Sequence, residues 1–126
     1  MSSLDRIVVI NIALAVAHQV DAAYWHEWEM FGLPGGIQLF VVLNLLMFVA
    51  VIACLVNIVR RTRTGFHCSL GLAMACGLML PIHAAFWLAG GAQFMTPISV
   101  LVLVGAFAAS FVQAVLTLRQ RDRFGT

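Results

Sequence analysis

One short polar segment holds most of the residues in this chain that could do chemistry. Residues 18–36 read HQVDAAYWHEWEMFGLPGG and contain two of the four histidines and three of the five acidic residues. Imidazole and carboxylate groups together suit divalent transition metals such as zinc, iron, manganese or copper. The same groups can also relay protons within a membrane. The spacing H-x-x-D followed by H-E-x-E matches no catalogued metal signature, so the inference depends on the residue types.

His18 and Asp21 are three positions apart, which brings two side chains close together on a helix. Asp21 could then accept a hydrogen bond from the His18 imidazole and fix its tautomer. At 3.6 residues per turn, both lie on one stripe with Asn11 and Trp25. Such a stripe should face the interior of a bundle or a water-filled cavity, because an ionisable group in hydrocarbon costs ~2.5–3.5 kcal/mol or more.

A further histidine, His83, is expected near the same end of the molecule. Pro81 precedes it by two residues, which frees a backbone carbonyl and can kink the helix there. We therefore predict that His18, Asp21 and His83 form the core of a site and are its candidate metal ligands. The predicted mouth of the site is His26, Glu27 and Glu29, and its predicted supporting residues are Trp25, Trp28, Gln38 and Asn44.

Simpler interpretations stay open for the same residues. Glu27, Glu29 and His26 could form a solvated loop surface beside interfacial tryptophans. The core could be a His–Asp clamp that only stabilises the fold. A haem held between His18 and His83 is disfavoured, because their depths are expected to differ by about five residues, or ~7 Å at 1.5 Å per residue.

The composition places the chain in the membrane class. Of its 126 residues, 63% are hydrophobic and only 10% are charged, whereas about 25% are charged in a soluble domain. The mean hydropathy is +1.02. The sequence contains no lysine, which excludes a retinal or pyridoxal Schiff base. It also contains no phosphate-binding glycine loop, Ser-His-Asp set or nucleic-acid-binding patch.

Four apolar segments are long enough to cross a bilayer, which needs ~20 residues. The Pro-Gly-Gly break at residues 34–36 and the basic turn at residues 60–65 separate them, as does the loop at residues 89–97. Short connections predict a single all-α domain, an up-down-up-down four-helix bundle. The predicted spans are about 7–28, 37–59, 66–88 and 98–118.

The arginines predict the orientation. All seven fall at Arg6, at 60–63 and at 119–123, and the connections at 24–36 and 89–97 have none. With four spans, those three places lie on one side, so the positive-inside rule puts both termini in the cytoplasm. Trp25, Trp28 and Trp87 then lie at the outer interface, which such rings prefer. We expect a bacterial inner-membrane protein whose polar site opens toward the periplasm.

A family resemblance is carried by residues 18–44, HQVDAAYWHEWEMFGLPGGIQLFVVLN. This segment resembles a family of small bacterial integral membrane proteins of unknown function. Its members have four helices, an H-x-x-D near the end of the first, and an E-W and a Leu-Pro-Gly-Gly before the second. The resemblance implies no activity. It implies that certain residues matter together: His18, Asp21, Glu27 or Glu29, Trp28, Pro34 and Gly35.

Three classes of function are consistent with this pattern. The leading hypothesis is a membrane-embedded site for a metal ion, a proton or a small solute in a transporter or sensor component. The second is a membrane enzyme acting on a lipid-like or quinone-like substrate, and the third is a structural subunit without a ligand. A chain of 13.7 kDa hardly forms a channel alone, which is consistent with a homo-oligomer or a place in a larger membrane complex.

Overall fold

The structure, a computed structural model, describes residues 1–125 and contains helices and no strands over that range. Four of the helices are long and apolar enough to cross a membrane. The predicted all-helical class with four long apolar helices is therefore confirmed. The elements are α1 (Ser3–Tyr24), the short α2 (Glu27–Met30), α3 (Gly36–Val59), α4 (Arg63–Leu88), α5 (Pro97–Arg119) and a 3₁₀ turn (Arg121–Arg123).

Helix α1 begins and ends earlier than the predicted span of residues 7–28. It begins at Ser3 because Ser2 and Asp5 form a capping box: the Ser2 hydroxyl accepts the Asp5 N–H at 3.2 Å, and the Asp5 carboxylate accepts the Ser2 N–H at 2.8 Å. It ends at Tyr24 because His26 has a φ of 53°. A residue in the left-handed region cannot continue a right-handed helix.

Helices α4 and α5 begin at hydroxyl caps. Thr62 accepts the Gly65 N–H at 3.0 Å, so α4 starts at Arg63, three residues before the predicted span. Thr96 accepts the Ser99 N–H at 3.3 Å, and Pro97 occupies the first turn of α5, where its missing N–H needs no partner.

Helix α5 packs along both α1 and α4, and α4 also packs along α3. Close approach depends on small residues, as expected where lipid provides no hydrophobic drive between helices. Gly77 of α4 faces Ser110 of α5 so closely that a Cβ on the glycine would lie 3.3 Å from the serine Cβ. Ala106 and Leu103 of α5 are fully buried. Most apolar side chains of α3, by contrast, point away from the other helices.

A buried polar network joins three helices halfway along the bundle. The Asn11 amide of α1 donates to the Ser110 hydroxyl and to the Gln113 carbonyl of α5, each at 3.0 Å. Gln113 donates to the Ser69 backbone carbonyl of α4 at 2.8 Å. The Ser69 and Thr117 hydroxyls are 2.6 Å apart. Because every member is buried and bonded, the network fixes how α1, α4 and α5 align.

Arg61 gathers three parts of the chain at one end of the bundle. Its guanidinium contacts the Asp5 carboxylate at 2.8 Å and the Ser2 hydroxyl at 2.7 Å. It also donates to the Ile58 carbonyl at 2.6 Å and lies over the Phe124 ring, 5.4 Å from its centroid. The start of α1, the turn between α3 and α4, and the segment after α5 therefore meet here. The connections at 25–35 and 89–96 lie at the opposite end.

The tight turn between α3 and α4 predicts a strong requirement for glycine at position 65. A Cβ there would lie 2.2 Å from the Asn57 carbonyl oxygen, so the backbone would have to move. We expect Gly65→Ala to destabilise the protein by about 1–3 kcal/mol, as overpacking does. The measurement is thermal unfolding of the purified protein in detergent.

Gly71→Ala is the matched control, because Gly71 lies on the same helix and a Cβ added there would have no neighbouring atom within 4 Å. Alanine forms helix better than glycine by about 1 kcal/mol. The control should therefore unfold at the wild-type temperature or above it. Equal destabilisation by both substitutions would contradict the packing described for the turn.

Candidate metal centre

Three buried side chains from three different elements converge at the end of the bundle opposite Arg61. His18 comes from α1, Glu27 from α2 and His83 from α4, and one potential ligand atom from each lies within 4.8 Å of the others. The Glu27 Oε1 atom is 3.3 Å from His83 Nε2 and 3.7 Å from His18 Nε2. Both histidines are 2% exposed, and Glu27 is 9% exposed. The three groups are therefore removed from bulk solvent together.

The early end of α1 places Glu27 in this group. His26, with its left-handed backbone, reverses the chain direction immediately after α1, and α2 begins with Glu27. The Leu33 N–H then donates to the Trp28 carbonyl at 2.8 Å and closes the turn that follows. As a result, the Glu27 carboxylate is directed back over the ends of α1 and α4.

The hydrogen bonds of His83 define its tautomer. Its Nδ1 lies 2.8 Å from the Met79 backbone carbonyl, which can only accept, so Nδ1 carries the proton. In the neutral ring, Nε2 then has a free lone pair directed at the Glu27 side chain. Among residues 1–125 this buried Nε2 has no hydrogen-bond partner. A backbone carbonyl that orients the second nitrogen of a histidine is a common outer-shell feature of metal sites.

His18 presents Nε2 to the same carboxylate, and its buried Nδ1 has no partner within the described part of the chain. Its ring meets that of His83 edge to face, with the centroids 4.9 Å apart and the planes at 89°. The two imidazoles therefore approach Glu27 from different directions, as two ligands of one ion would.

Glu27 lies beyond the end of α1, and its charge state follows from its neighbours. Burial alone would raise the pKa of its carboxyl, but the nearby His18 and His83 imidazoles, at 3.7 and 3.3 Å, outweigh burial and lower the pKa to about 2. The carboxyl is therefore ionised at neutral pH. An enclosed negative charge between two imidazoles is the electrostatic environment that a cation requires.

The spacing of the three groups suits a small transition-metal ion. Zinc bonds to nitrogen and oxygen of ~2.0–2.2 Å give ligand–ligand separations of ~3.4 Å in a tetrahedron. The two distances from Glu27, 3.3 and 3.7 Å, are close to that value. All three ligand atoms lie within 4.8 Å of one another, so a small closure of the side chains would bring them around one ion.

Phe94, in the connection between α4 and α5, covers the group. Its ring is fully buried and lies 4.4 Å from the His83 ring and 5.3 Å from the His18 ring, centroid to centroid. Its φ of 63° is an uncommon backbone conformation for an aromatic residue. The Trp87 indole donates to the Gln93 carbonyl at 2.8 Å and holds this connection in place. The site is therefore closed by an apolar cover.

The predicted core residue Asp21 does not join this group. It lies between α1 and α5 in a groove of about 270 Å³ that Tyr24 and Ser99 also line. No hydrogen bond links it to His18 among residues 1–125. Three residues along a helix leave two side chains about 60° apart around the axis. That rotation turns Asp21 toward α5, while His18 points inward.

The predicted difference in depth between His18 and His83 is wrong. It assumed that α1 continues to residue 28, but α1 ends at Tyr24. His18 is then six residues from the end of its helix, and His83 is five residues from Leu88, the end of α4. The two rings lie at one level and touch, which leaves no space between them for a flat haem.

Two of the three predicted mouth residues lie at the surface. The His26 and Glu29 side chains are 58% and 70% exposed, and His26 Nδ1 is 3.7 Å from Glu29 Oε1. His26 also stacks on Trp28, with the ring centroids 4.9 Å apart. Glu27, the third predicted mouth residue, is the one that is buried. A solvated loop surface therefore describes His26 and Glu29 but not Glu27.

The predicted supporting residues differ in their surroundings. Trp28 is buried and packs on Phe40 of α3 at 5.2 Å between centroids, which fixes α2 against α3. The Trp25 ring lies 6.2 Å from that of Phe94, at the edge of the cover. Asn44 donates to the Phe40 carbonyl of its own helix at 2.9 Å. Gln38 is exposed and does not contribute to the site.

A cleft opens beside Glu27 on the side of α3. It has a volume of about 210 Å³, and Gln19, Glu27 and Asn44 supply its polar groups. Its other walls are aromatic and aliphatic, including Trp28 and Phe40. The Glu27 carboxylate therefore borders both the histidine group and this lateral opening.

Comparisons with known proteins agree with the resemblance to a family of unknown function. Searches of curated proteins and of solved structures give no match. Residues 4–120 match the family of unknown function DUF6713, so the match extends well beyond residues 18–44. Because it covers most of the chain, this protein belongs to the DUF6713 family.

Proposed function

We propose that this protein is an integral membrane protein that binds a divalent transition-metal ion through His18, Glu27 and His83, as a component of a transporter or a sensor. The supporting observation is the convergence of one potential ligand atom each from His18, Glu27 and His83, all within 4.8 Å of one another. Two histidines and one glutamate are also the ligand set of several open zinc sites. A tetrahedral ion held by them keeps a fourth position for water or another small ligand.

A simple ion pair accounts less well for the same geometry. A protonated histidine next to Glu27 would form a charge-assisted hydrogen bond of about 2.7–2.9 Å. The nitrogen–oxygen distances are instead 3.3 and 3.7 Å, and His83 Nε2 has no hydrogen-bond partner among residues 1–125. These separations are long for hydrogen bonds and suitable for two ligands of one ion.

The membrane part of the proposal depends on surface composition. The exposed side chains of α3 are almost all apolar, and the histidines within the long helices at the metal centre, His18 and His83, are buried. Hydrocarbon favours this arrangement and bulk water does not. The contacts of Arg61 join the three arginine-bearing parts of the chain at one end, which supports the up-down arrangement. We infer a bacterial inner membrane with both termini cytoplasmic and the metal site on the periplasmic side.

Two routes lead toward the site. The cleft beside Glu27 opens toward α3, and Phe94 closes the other side. Entry past Phe94 requires the connection at 89–96 to move. Such a movement could be coupled to transport or to signalling, and both outcomes begin with the same binding step.

Metal binding is tested most directly with Co²⁺, whose visible spectrum reports tetrahedral coordination. We expect the purified, chelator-treated protein to bind Co²⁺ and to release it to Zn²⁺. His18→Ala, His83→Ala and Glu27→Gln should each weaken binding at least tenfold, because each removes a ligand. Calorimetric titration with Zn²⁺ would give the affinities.

His67→Ala is the matched control, since His67 is exposed at the opposite end of the protein. It should bind both metals as the wild type does. If the wild-type protein bound neither ion and the three site variants lost only thermal stability, the group would be a structural clamp and the metal proposal would be wrong.

The proposed orientation predicts which connection an impermeant reagent reaches. In a background without the natural cysteines, Thr64→Cys places a thiol in the arginine-rich turn, and Ala92→Cys places one in the connection at 89–96; both positions are exposed. In intact cells, a membrane-impermeant maleimide should label only position 92. Position 64 should react after permeabilisation. Labelling of position 64 in intact cells, or of both positions alike, would contradict the orientation.

A further inference from the structure

A second polar site lies at the arginine-rich end of the bundle, far from the histidines. A pocket of about 190 Å³ forms where the first turns of α4 meet the segment that follows α5. Its lining residues are Arg63, Phe66, His67, Arg121 and Phe124. Two guanidinium groups and an imidazole therefore surround one concave space that has an aromatic wall.

The cations of this pocket have no acidic partner within the described part of the chain. Among residues 1–125, the arginine ion pair is the one between Arg61 and Asp5, at 2.8 Å. Arg63 and Arg121 are exposed and make no ion pair there. Their charges are therefore available to an anion from outside the protein.

Contacts with Arg61 hold the aromatic wall in position. Phe124 is only 9% exposed, although it follows the last helical turn. The Arg61 guanidinium lies 5.4 Å from its ring centroid, and the Gly125 N–H donates to the Arg61 carbonyl at 3.1 Å. Phe66 meets Phe124 edge to face, with the centroids 5.8 Å apart. The apolar side of the pocket is thus ordered before any ligand arrives.

We propose that this pocket binds the phosphate of an anionic phospholipid from the cytoplasmic leaflet. Arginine forks match phosphate oxygens, and basic pockets on the cytoplasmic side of membrane helices suit anionic headgroups. The two phenylalanines provide an apolar surface for the glycerol backbone and the first acyl carbons. The proposal depends on the membrane insertion and orientation inferred above but not on the metal site.

The test compares two double variants that each remove two arginines from the same end of the protein. Arg63→Ala with Arg121→Ala removes the cations that line the pocket. Arg6→Ala with Arg119→Ala removes the same net charge outside it. Purified protein in detergent is titrated with dioleoylphosphatidylglycerol, and bound lipid is counted by native mass spectrometry beside the thermal shift. Dioleoylphosphatidylcholine and inorganic phosphate are titrated in parallel.

We expect the wild type and the Arg6/Arg119 variant to retain phosphatidylglycerol and to be stabilised by it. The Arg63/Arg121 variant should bind phosphatidylglycerol about tenfold more weakly than the wild type. Phosphatidylcholine should not bind specifically to the wild type or to either double variant. Arg121→Gln alone, at an exposed position outside the long helices, should weaken binding severalfold and provides a second variant. Each of these arginine variants should bind Co²⁺ as the wild type does. Failure of the lipid proposal can therefore be distinguished from failure of the metal proposal.

Two results would overturn the lipid site. Equal loss of phosphatidylglycerol from both double variants would show diffuse attraction to the arginine-rich end and no defined pocket. Stabilisation by inorganic phosphate without any preference for phosphatidylglycerol would show a site for a free anion.

Discussion

A carboxylate enclosed by apolar side chains must be neutralised at close range, and this requirement acts at the end of the bundle that carries His18, Glu27 and His83. Glu27 is ionised at neutral pH and almost fully buried. Its neighbours are two imidazoles, and a ring from the next connection excludes water above them. Charge burial of this kind is stable only with a compensating cation or proton.

Buried polar groups also find partners at two other levels of the bundle. Halfway along the bundle, Asn11 bonds to α5, and at the far end Asp5 pairs with Arg61. Helix α1 contributes one residue to each level: Asp5, Asn11 and His18. Asn11 and His18 are seven residues apart, about two turns, so they lie on one face of α1, whereas Asp5 lies about 120° from Asn11 around the helix axis. A chain with only 10% charged residues thus gathers its buried polar groups in three separated clusters.

The sequence was sufficient to predict the number of long helices, because four apolar runs separated by Pro-Gly-Gly, Arg-Arg and Gly-Gly signals have no other simple interpretation. It also singled out His18 and His83, two of the three side chains that the structure brings together. The choice of Asp21 as the carboxylate partner depended on where α1 ends, and a left-handed histidine is not visible in a residue pattern. With α1 ending at Tyr24, the carboxylate that reaches the histidines is Glu27.

Other parts of the interior carried no sequence signal. Phe94 lies among small residues in a connection, where an aromatic residue is most simply interpreted as interfacial. Ser69 and Thr117 form a buried hydroxyl pair at 2.6 Å. Serine and threonine are common in membrane helices, so neither stands out. Pairwise contacts of this sort arise only once the rotation of each helix about its axis is known.

The left-handed turn at Arg61 has a consequence for the order in which the chain can assemble. Its side chain bonds near residue 2, and its backbone carbonyl accepts the N–H of residue 125. These contacts join Arg61 to the two ends of the described chain, each of which is separated from it by about half the sequence. The first two long helices can form the contact with residue 2 as soon as both exist, but the contact with residue 125 must wait for the last segment to emerge. Completion of the Arg61 end of the bundle is therefore a late, long-range event in folding, and until then the Arg61 backbone carbonyl lacks the Gly125 N–H that it accepts in the complete fold.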